Sequence, residues 1–342
     1  MHRSLRLTCS RDALRANWSW LARTAGVACG AAIKADGYGL GATEVVQLLG
    51  DAGCRDFFVS TWWEAEQIGG LPDVASVVVL HGVGPDDVAS AHASTARPVL
   101  NSAVQVQRWR ELAGDRPCDV MIDTGMNRLG LRAEEVGVLD GLSIDTLHSH
   151  LACADEDHAL NEVQLNRFRE LAASIPARRY SLANSAGICL GSDYSFDLVR
   201  PGLALYGGVP RCEARDHIVP VAAMEAQVVQ RRTVLAGESC GYGATFVAEH
   251  DTQVAILNVG YADGYWRSFS GAGKARAGGR DLPVLGRMSM DLIAVDCTGA
   301  PDVGEGDWVQ IDFDLERSAA LTGKTQYELL TGLGQRFERV WR

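Results

Sequence analysis

The sequence predicts an α/β protein: a (β/α)8 barrel of the TIM type followed by a C-terminal all-β domain. Three observations carry that expectation. Residues 27–206 alternate short apolar runs with amphipathic helical stretches, the pattern of βα units around a parallel sheet. The apolar runs number eight, enough to close a barrel. After Gly208 the texture changes to short β-rich runs separated by Gly, Asp and Pro. The expected barrel spans 10–215 and the expected β domain 216–342, with residues 1–9 a candidate addition to the latter. Residues 209–220, with two prolines and several charges, form the expected linker.

The barrel runs follow one another as Val27 to Ile33, Asp56 to Ser60, Ala75 to Leu80, Arg97 to Leu100, Asp119 to Asp123, Ile144 to His150, Arg179 to Ala183 and Phe196 to Val199. Between them lie helical stretches such as Ala42 to Leu49, Ala103 to Ala113 and Asn161 to Ala173. The last places Val163, Leu165, Phe168, Leu171 and Ala172 at helical spacing. In the second domain Val254 to Val259, Leu292 to Val295 and Trp308 to Ile311 read as strands, and Gly271 to Arg280 as a loop of small residues.

Composition excludes several partners. A net charge of −11 and a pI near 5.2 argue against nucleic acid, whose phosphates need a basic surface. The first twenty residues carry charges without an unbroken apolar core, and no later run approaches the length of a membrane span. A cytoplasmic protein without a membrane partner is expected. The nine cysteines form no C-x-x-C pair and are odd in number, which fits reduced, buried thiols.

In barrels of this kind the chemistry sits where strands end. Lys34 closes the first run and is one of only three lysines, with Lys274 and Lys324. Burial there depresses an amine's pKa by disfavouring its charged form, as a Schiff-base lysine requires. Gly37, Gly39 and Gly41 let the backbone turn sharply behind it, and Tyr38 adds a hydroxyl. The plain alternative is a strand-terminal lysine reaching solvent beside an ordinary turn. Arg128 follows the fifth run, His148 and His150 close the sixth, Asn184 and Ser185 the seventh, and Arg200 with Gly202 the eighth. The His148-Ser149-His150 pair with nearby Asp155 and Asp157 raises a rival class, an H-x-H metal hydrolase. Its position on the sixth strand, and the lack of further ligands at other strand ends, argue against it, so no metal is expected. Arg200 would emerge at the barrel mouth beside the bare amide of Gly202. Ser185 would stand at a helix start, where the plain role for Asn184-Ser185 is a cap. Together they put phosphate-type contacts near strands seven and eight.

These residues, with others downstream, resemble one family. Lys34-Ala-Asp-Gly-Tyr38-Gly, Asp123-Thr-Gly-Met-Asn-Arg128-Leu-Gly, His148-Ser-His150, Asn184-Ser185-Ala, Val199-Arg200-Pro-Gly202 and Cys240-Gly-Tyr242-Gly-Ala-Thr are similar to the ordered motifs of alanine racemase. So are Val259-Gly-Tyr261-Ala-Asp-Gly, Gly286-Arg-Met-Ser-Met290-Asp291 and the tail around Tyr327-Glu-Leu. The resemblance covers residues of about 25 to 340. It implies a pyridoxal 5′-phosphate enzyme that interconverts L-alanine and D-alanine, supplies D-alanine for peptidoglycan, and works as a head-to-tail homodimer with shared active sites. By the same resemblance Lys34 binds the cofactor and acts as one acid/base, while Tyr242 reaches the partner's barrel as the other. Tyr38, Ser185, the backbone at Gly202 and Tyr327 hold the phosphate, Asn184 and Leu203 are further cofactor-binding positions, Arg200 faces the pyridine nitrogen and His150 supports Arg200. Arg128, Met290 and Tyr261 position the amino-acid substrate.

The chain departs from the family pattern at Met121, where many members carry a lysine that can be carbamylated and orient the arginine seven residues on. Arg128 is then left to be held by Asn127 or by an anion. Gly37 and Leu40 replace a common alanine and a common histidine. Broad amino-acid racemisation, serine included, and a non-catalytic pyridoxal-phosphate carrier are the alternative functions. The carrier class is disfavoured because such proteins are single barrels without a domain like the one bearing Tyr242.

Overall fold

The computed structural model describes residues 2–68 and 75–342. The chain divides into two compact units, Asp12–Val219 and an N-terminal segment ending at Arg11 joined with Pro220–Arg342.

In the first unit seven parallel strands neighbour one another in chain order: Ala31–Ala32, Asp56–Val59, Ser76–Val79, Arg97–Leu100, Cys118–Met121, Ile144–His148 and Arg179–Ser181. The eighth, Leu198–Val199, closes the ring. It pairs in parallel with Ala28–Cys29 on one side. On the other, the Asp197 amide donates to Tyr180 O at 3.0 Å and the Arg200 amide to Ala183 O at 2.9 Å. The expected first strand, 27–33, is broken at Gly30, so that its halves pair with different neighbours. A side chain cannot stand at the break: a Cβ on Gly30 would come within 2.7 Å of both Asp56 O and the Phe58 ring. The expected eighth strand is also shorter than 196–199, because Phe196 takes φ 50° and turns the chain before the ladder begins.

The helices between strands form where apolar spacing and caps agree. The helix Ala103–Ala113 starts at Ser102, whose hydroxyl accepts the Gln105 amide, and buries Val106 and Trp109. The helix Leu160–Ser174 buries Leu165 and Phe168, and Phe168 meets Phe196 edge-on at 4.9 Å.

The second unit is an eight-stranded sheet built on one long strand, Ala222–Val234. A register shift between Val228 and Gln230 bends this strand, which then pairs with Thr252–Leu257 as well as with Trp308–Ile311. With Ile293–Asp296, Arg280–Leu285 and Lys274–Ala277 these strands close a small barrel of their own. The N-terminal strand Leu5–Cys9 lies antiparallel to Ala222–Val234 and parallel to the last strand, Glu338–Trp341. The segment expected to be a small-residue loop is instead largely a hairpin. Lys274–Ala277 pairs with Arg280–Leu285 across Gly278-Gly279, both with positive φ, the turn that two adjacent glycines favour.

The amino ends of the parallel strands carry an ionic floor. Arg179 donates to both oxygens of Asp56 at 2.7 and 2.9 Å and to Asp145 at 2.9 Å. Arg97 bridges Asp119 at 3.0 Å and Asp145 at 3.1 Å. Burial alone would raise the Asp56 and Asp145 carboxyls, but the arginine hydrogen bonds and charges outweigh it and hold both below the usual carboxylate range. Carboxyls depressed in the folded state stabilise fully above the unfolded value of about 4 and lose that contribution as pH falls through the folded values. Arg179→Ala would leave these buried carboxylates short of a partner. The expected loss is about 3–5 kcal/mol in unfolding free energy by urea titration at pH 7. It should shrink when the titration is repeated below pH 4; a variant as stable as the parent at pH 7 would contradict this account.

Candidate functional site

Lys34 stands two residues past the end of the strand Ala31–Ala32, and the backbone behind it does something L-residues avoid. Ala35, Asp36, Gly37 and Tyr38 take φ angles of 53°, 53°, 60° and 54° with Ala35 to Gly37 in left-handed helical geometry. Three of the four carry side chains, at about 1–2 kcal/mol each. Hydrogen bonds hold the turn: Gly37 to Ile33 O at 2.8 Å, Gly39 to Ala35 O at 2.9 Å and Gly41 to Asp36 O at 2.9 Å. The Asp36 carboxylate accepts the first amide of the helix Ala42–Ala52, from Ala42 at 2.9 Å. The Glu64 carboxylate accepts the Ala35 amide at 2.8 Å. The turn carries Tyr38 inward, where it is buried and stacked on Tyr206 at 4.6 Å. Tyr206 in turn donates its hydroxyl to Ala32 O at 2.8 Å.

Opposite, Ser185 Oγ accepts the Gly202 amide at 2.9 Å and the Ala204 amide at 3.2 Å. Asn184 acts as the cap of its short helix, its side chain accepting the Gly187 amide at 2.9 Å. A Cβ on Gly202 would come within 2.2 Å of the Tyr38 hydroxyl, so glycine is what lets that hydroxyl converge with the serine and the two amides that donate to it. Leu203, between the two amides, is buried. A nest of N–H and O–H donors of this kind suits anionic oxygens.

Cations surround the lysine. Arg200 does not emerge at the mouth as the sequence suggested; it is 6% exposed. Its guanidinium donates to Ser181 Oγ, to Ser149 O at 2.6 Å and towards His150 Nδ1 at 3.4 Å. Burial pushes Arg200 down to about 10, against the opposing charge of Asp119, and it remains a cation at neutral pH. Burial with the charges of Arg200, Arg128 and Lys34 pushes His150 down to about 3, which leaves a neutral ring. For Lys34, burial first, then Arg128 and Arg200, lower the amine, while Glu64 acts the other way.

Arg128 is exposed and makes no hydrogen bond or ion pair among the described residues. Asn127, expected as a possible holder of Arg128, turns its amide to Gly125 O at 3.4 Å instead, because Asp123 gathers the amides of residues 125–127 into a tight loop. Met121, at the floor of that loop, is buried. The two histidines do not act as a pair. His148 is fully buried and bonds Asp119 through Nε2 at 3.0 Å, whereas His150 lies beyond the strand beside Arg200. Among the described residues no group of three metal-ligating side chains forms.

The remaining candidates sit on the β unit. Tyr242 is 68% exposed in a single turn, Tyr242–Ala244, flanked by Gly241 and Gly243 with positive φ. Tyr261 and Met290 are exposed on two loops laced together by the Tyr261 amide to Ser289 O and the Ala262 amide to Met290 O. Tyr327 is exposed on the helix Gln326–Thr331, which Thr325 caps. Sequence reasoning missed Ser181, Ala204 and Glu64. Only Glu64 left a signal, the capping box Thr61-Trp-Trp-Glu64 directly after a strand.

Two family models match the chain, one to each unit's main segment. The N-terminal domain of alanine racemase matches residues 9–210 and its C-terminal domain residues 221–341. An alanine racemase of Acidiphilium cryptum is 42% identical over 98% of this chain and 98% of its own length. A catabolic alanine racemase of Agrobacterium fabrum is 44% identical over 98% of this chain and 91% of its own. The crystal structure of alanine racemase from Bartonella henselae with covalently bound pyridoxal phosphate superposes with a TM-score of 0.92 at 36% identity, covering both chains fully.

The electrostatics of the turn make a separate expectation. Acetylation of the protein stripped of small molecules, followed by mass spectrometry across pH, should give Lys34 a midpoint below the ordinary lysine value of about 10.4. An ordinary midpoint would show that burial and the two arginines do not act on this amine.

Proposed function

The chain belongs to the alanine racemase family, and we propose that Lys34 and Tyr242 are the two acid/base groups of its reaction, the interconversion of L-alanine and D-alanine. One observation supports this reading most: the only lysine at a barrel strand end stands among a donor nest and two guanidinium groups, with an amine depressed by its surroundings. The donor set fits pyridoxal phosphate. Tyr38, Ser185 and the Gly202 and Ala204 amides suit its phosphate, and Asn184 and Leu203 hold that loop pair in place. Tyr327, on the β unit, is assigned to the same phosphate by family resemblance.

The cofactor, when bound, withdraws electrons from the amino acid's α-carbon and acidifies its proton. A neutral Lys34 amine can take that proton on one face. Tyr242, as the group of unlike kind, serves the other face in this reading. Arg200 presents a guanidinium that does not give up a proton to a ring nitrogen, and His150, held neutral, accepts from Arg200 rather than competing with it. Arg128, which has no hydrogen-bond or ion-pair partner among the described residues, is suited to the substrate carboxylate, and the family resemblance assigns Met290 and Tyr261 to the substrate as well. We further propose a cytoplasmic, head-to-tail homodimer that supplies D-alanine for peptidoglycan. The nine free thiols fit a reducing compartment, and no helix among the described residues is long and apolar enough to cross a membrane.

Borohydride reduction of the purified enzyme should fix the cofactor to Lys34, located by peptide mass, and Lys34→Ala should lose both this adduct and D-alanine formation. An adduct on Lys274 or Lys324 would reject the assignment.

The dimer is tested by mixing inactive Lys34→Ala with inactive Tyr242→Phe. In a mixed dimer one site receives both defects and the other none, so random exchange of equal amounts should restore roughly a quarter of all sites. No recovery despite demonstrated subunit exchange would place both groups on one chain.

A further inference from the structure

We propose that Glu64 is a positioning residue for Lys34: its single carboxylate ties the left-handed turn after the lysine to the end of the neighbouring strand and so fixes where the amine stands. The inference rests on Lys34 being the reacting amine. Oε2 accepts the Ser60 amide at 2.6 Å and the Thr61 amide at 3.4 Å, which completes the capping box of the helix Trp62–Gln67 together with the Glu64 amide to Thr61 Oγ at 3.2 Å. A helix cap needs nothing more. Oε1 is nevertheless committed to the Ala35 amide at 2.8 Å, 29 residues away in sequence and adjacent to Lys34.

That contact falls where the backbone needs it. Ala35 is the first residue of the turn in left-handed geometry, a conformation that persists only when the surroundings over-determine it. An ionised acceptor makes a stronger hydrogen bond to an amide than a neutral one. Both carboxylate oxygens face backbone donors, so Glu64 is not placed as a base. Its second influence is charge, since its carboxylate opposes Arg128 and Arg200 at the amine.

Three variants of the full-length protein separate positioning from capping. Glu64→Gln keeps the shape but sets a side-chain NH2 against one of the backbone amides and removes the charge. Its kcat should fall about ten- to a hundredfold with little change in KM. The acetylation midpoint of Lys34, followed by mass spectrometry in protein freed of cofactor, should move to lower pH because the opposing anion is gone. Glu64→Asp keeps the charge but cannot reach both segments, so kcat should fall while the midpoint stays. Thr61→Ala weakens the same helix start without touching Ala35; it should lower Tm and leave kcat and midpoint as in the parent. If Glu64→Gln behaves like Thr61→Ala, Glu64 is a helix cap and the proposal is overturned. Should Glu64→Gln not fold, Glu64→Asp decides, and a parental kcat there overturns it equally. The midpoint is read on Lys34 itself, so failure here is distinct from a cofactor adduct forming on another lysine.

Discussion

Five consecutive residues after Lys34, from Ala35 to Gly39, hold positive φ angles, and the placement of Lys34 and Tyr38 follows from that backbone. A right-handed continuation of the first strand's exit would send Tyr38 to a different face and leave Gly202 without its close neighbour. The turn is held by hydrogen bonds on both sides: the Glu64 and Asp36 carboxylates and the carbonyls of Ile33, Ala35 and Asp36 accept from it and from the segments beside it. The strain of the backbone and the position of the functional side chains are therefore one feature. That is the usual place for such strain, at sites whose surroundings can hold it.

Electrostatics act on the same few residues. Arg200 is buried and held by hydrogen bonds to Ser181, Ser149 and His150, so its charge is fixed in position. Arg128 is exposed and makes no hydrogen bond or ion pair among the described residues. One guanidinium is thus built into the barrel and the other stands exposed, although the two are the same residue type at similar strand-end positions. The difference lies in local chain geometry: Arg200 follows a two-residue strand directly, whereas Arg128 rides on a loop wound around Asp123.

Much of the fold was legible because period and punctuation agree in this sequence. The helix Ala103–Ala113 and the strands Arg97–Leu100 and Trp308–Ile311 coincide with their expected bounds. The closing strands were less legible, since Gly30 and the positive φ of Phe196 interrupt runs whose hydrophobicity is continuous. The hairpin at Gly278-Gly279 was hidden by its composition: small residues read as loop, while adjacent glycines between short runs are a turn signal. At the site, residue identities were visible as motifs, but burial was not. Nothing in Val-Arg-Pro-Gly says that Arg200 is enclosed, and nothing in Thr-Trp-Trp-Glu says that a cap reaches back 29 residues. Those facts come from which strands become neighbours, and sequence order alone does not measure that.

The strand Leu5–Cys9 has a consequence for how the chain comes to be folded. It is synthesised ahead of the barrel segment, yet its register partners are Ala222–Ala226 on one side and Glu338–Trp341 on the other. Both arrive only after the whole barrel segment has been synthesised. The barrel, made of successive neighbours, can gather as it emerges, while the N-terminal strand waits unpaired with two open edges. Its alternating pattern, Leu5, Leu7 and Cys9 buried between partly exposed Arg6 and Thr8, keeps a polar face on that strand during the wait. Production of the enzyme is thereby exposed to aggregation at a point far in sequence from its chemistry.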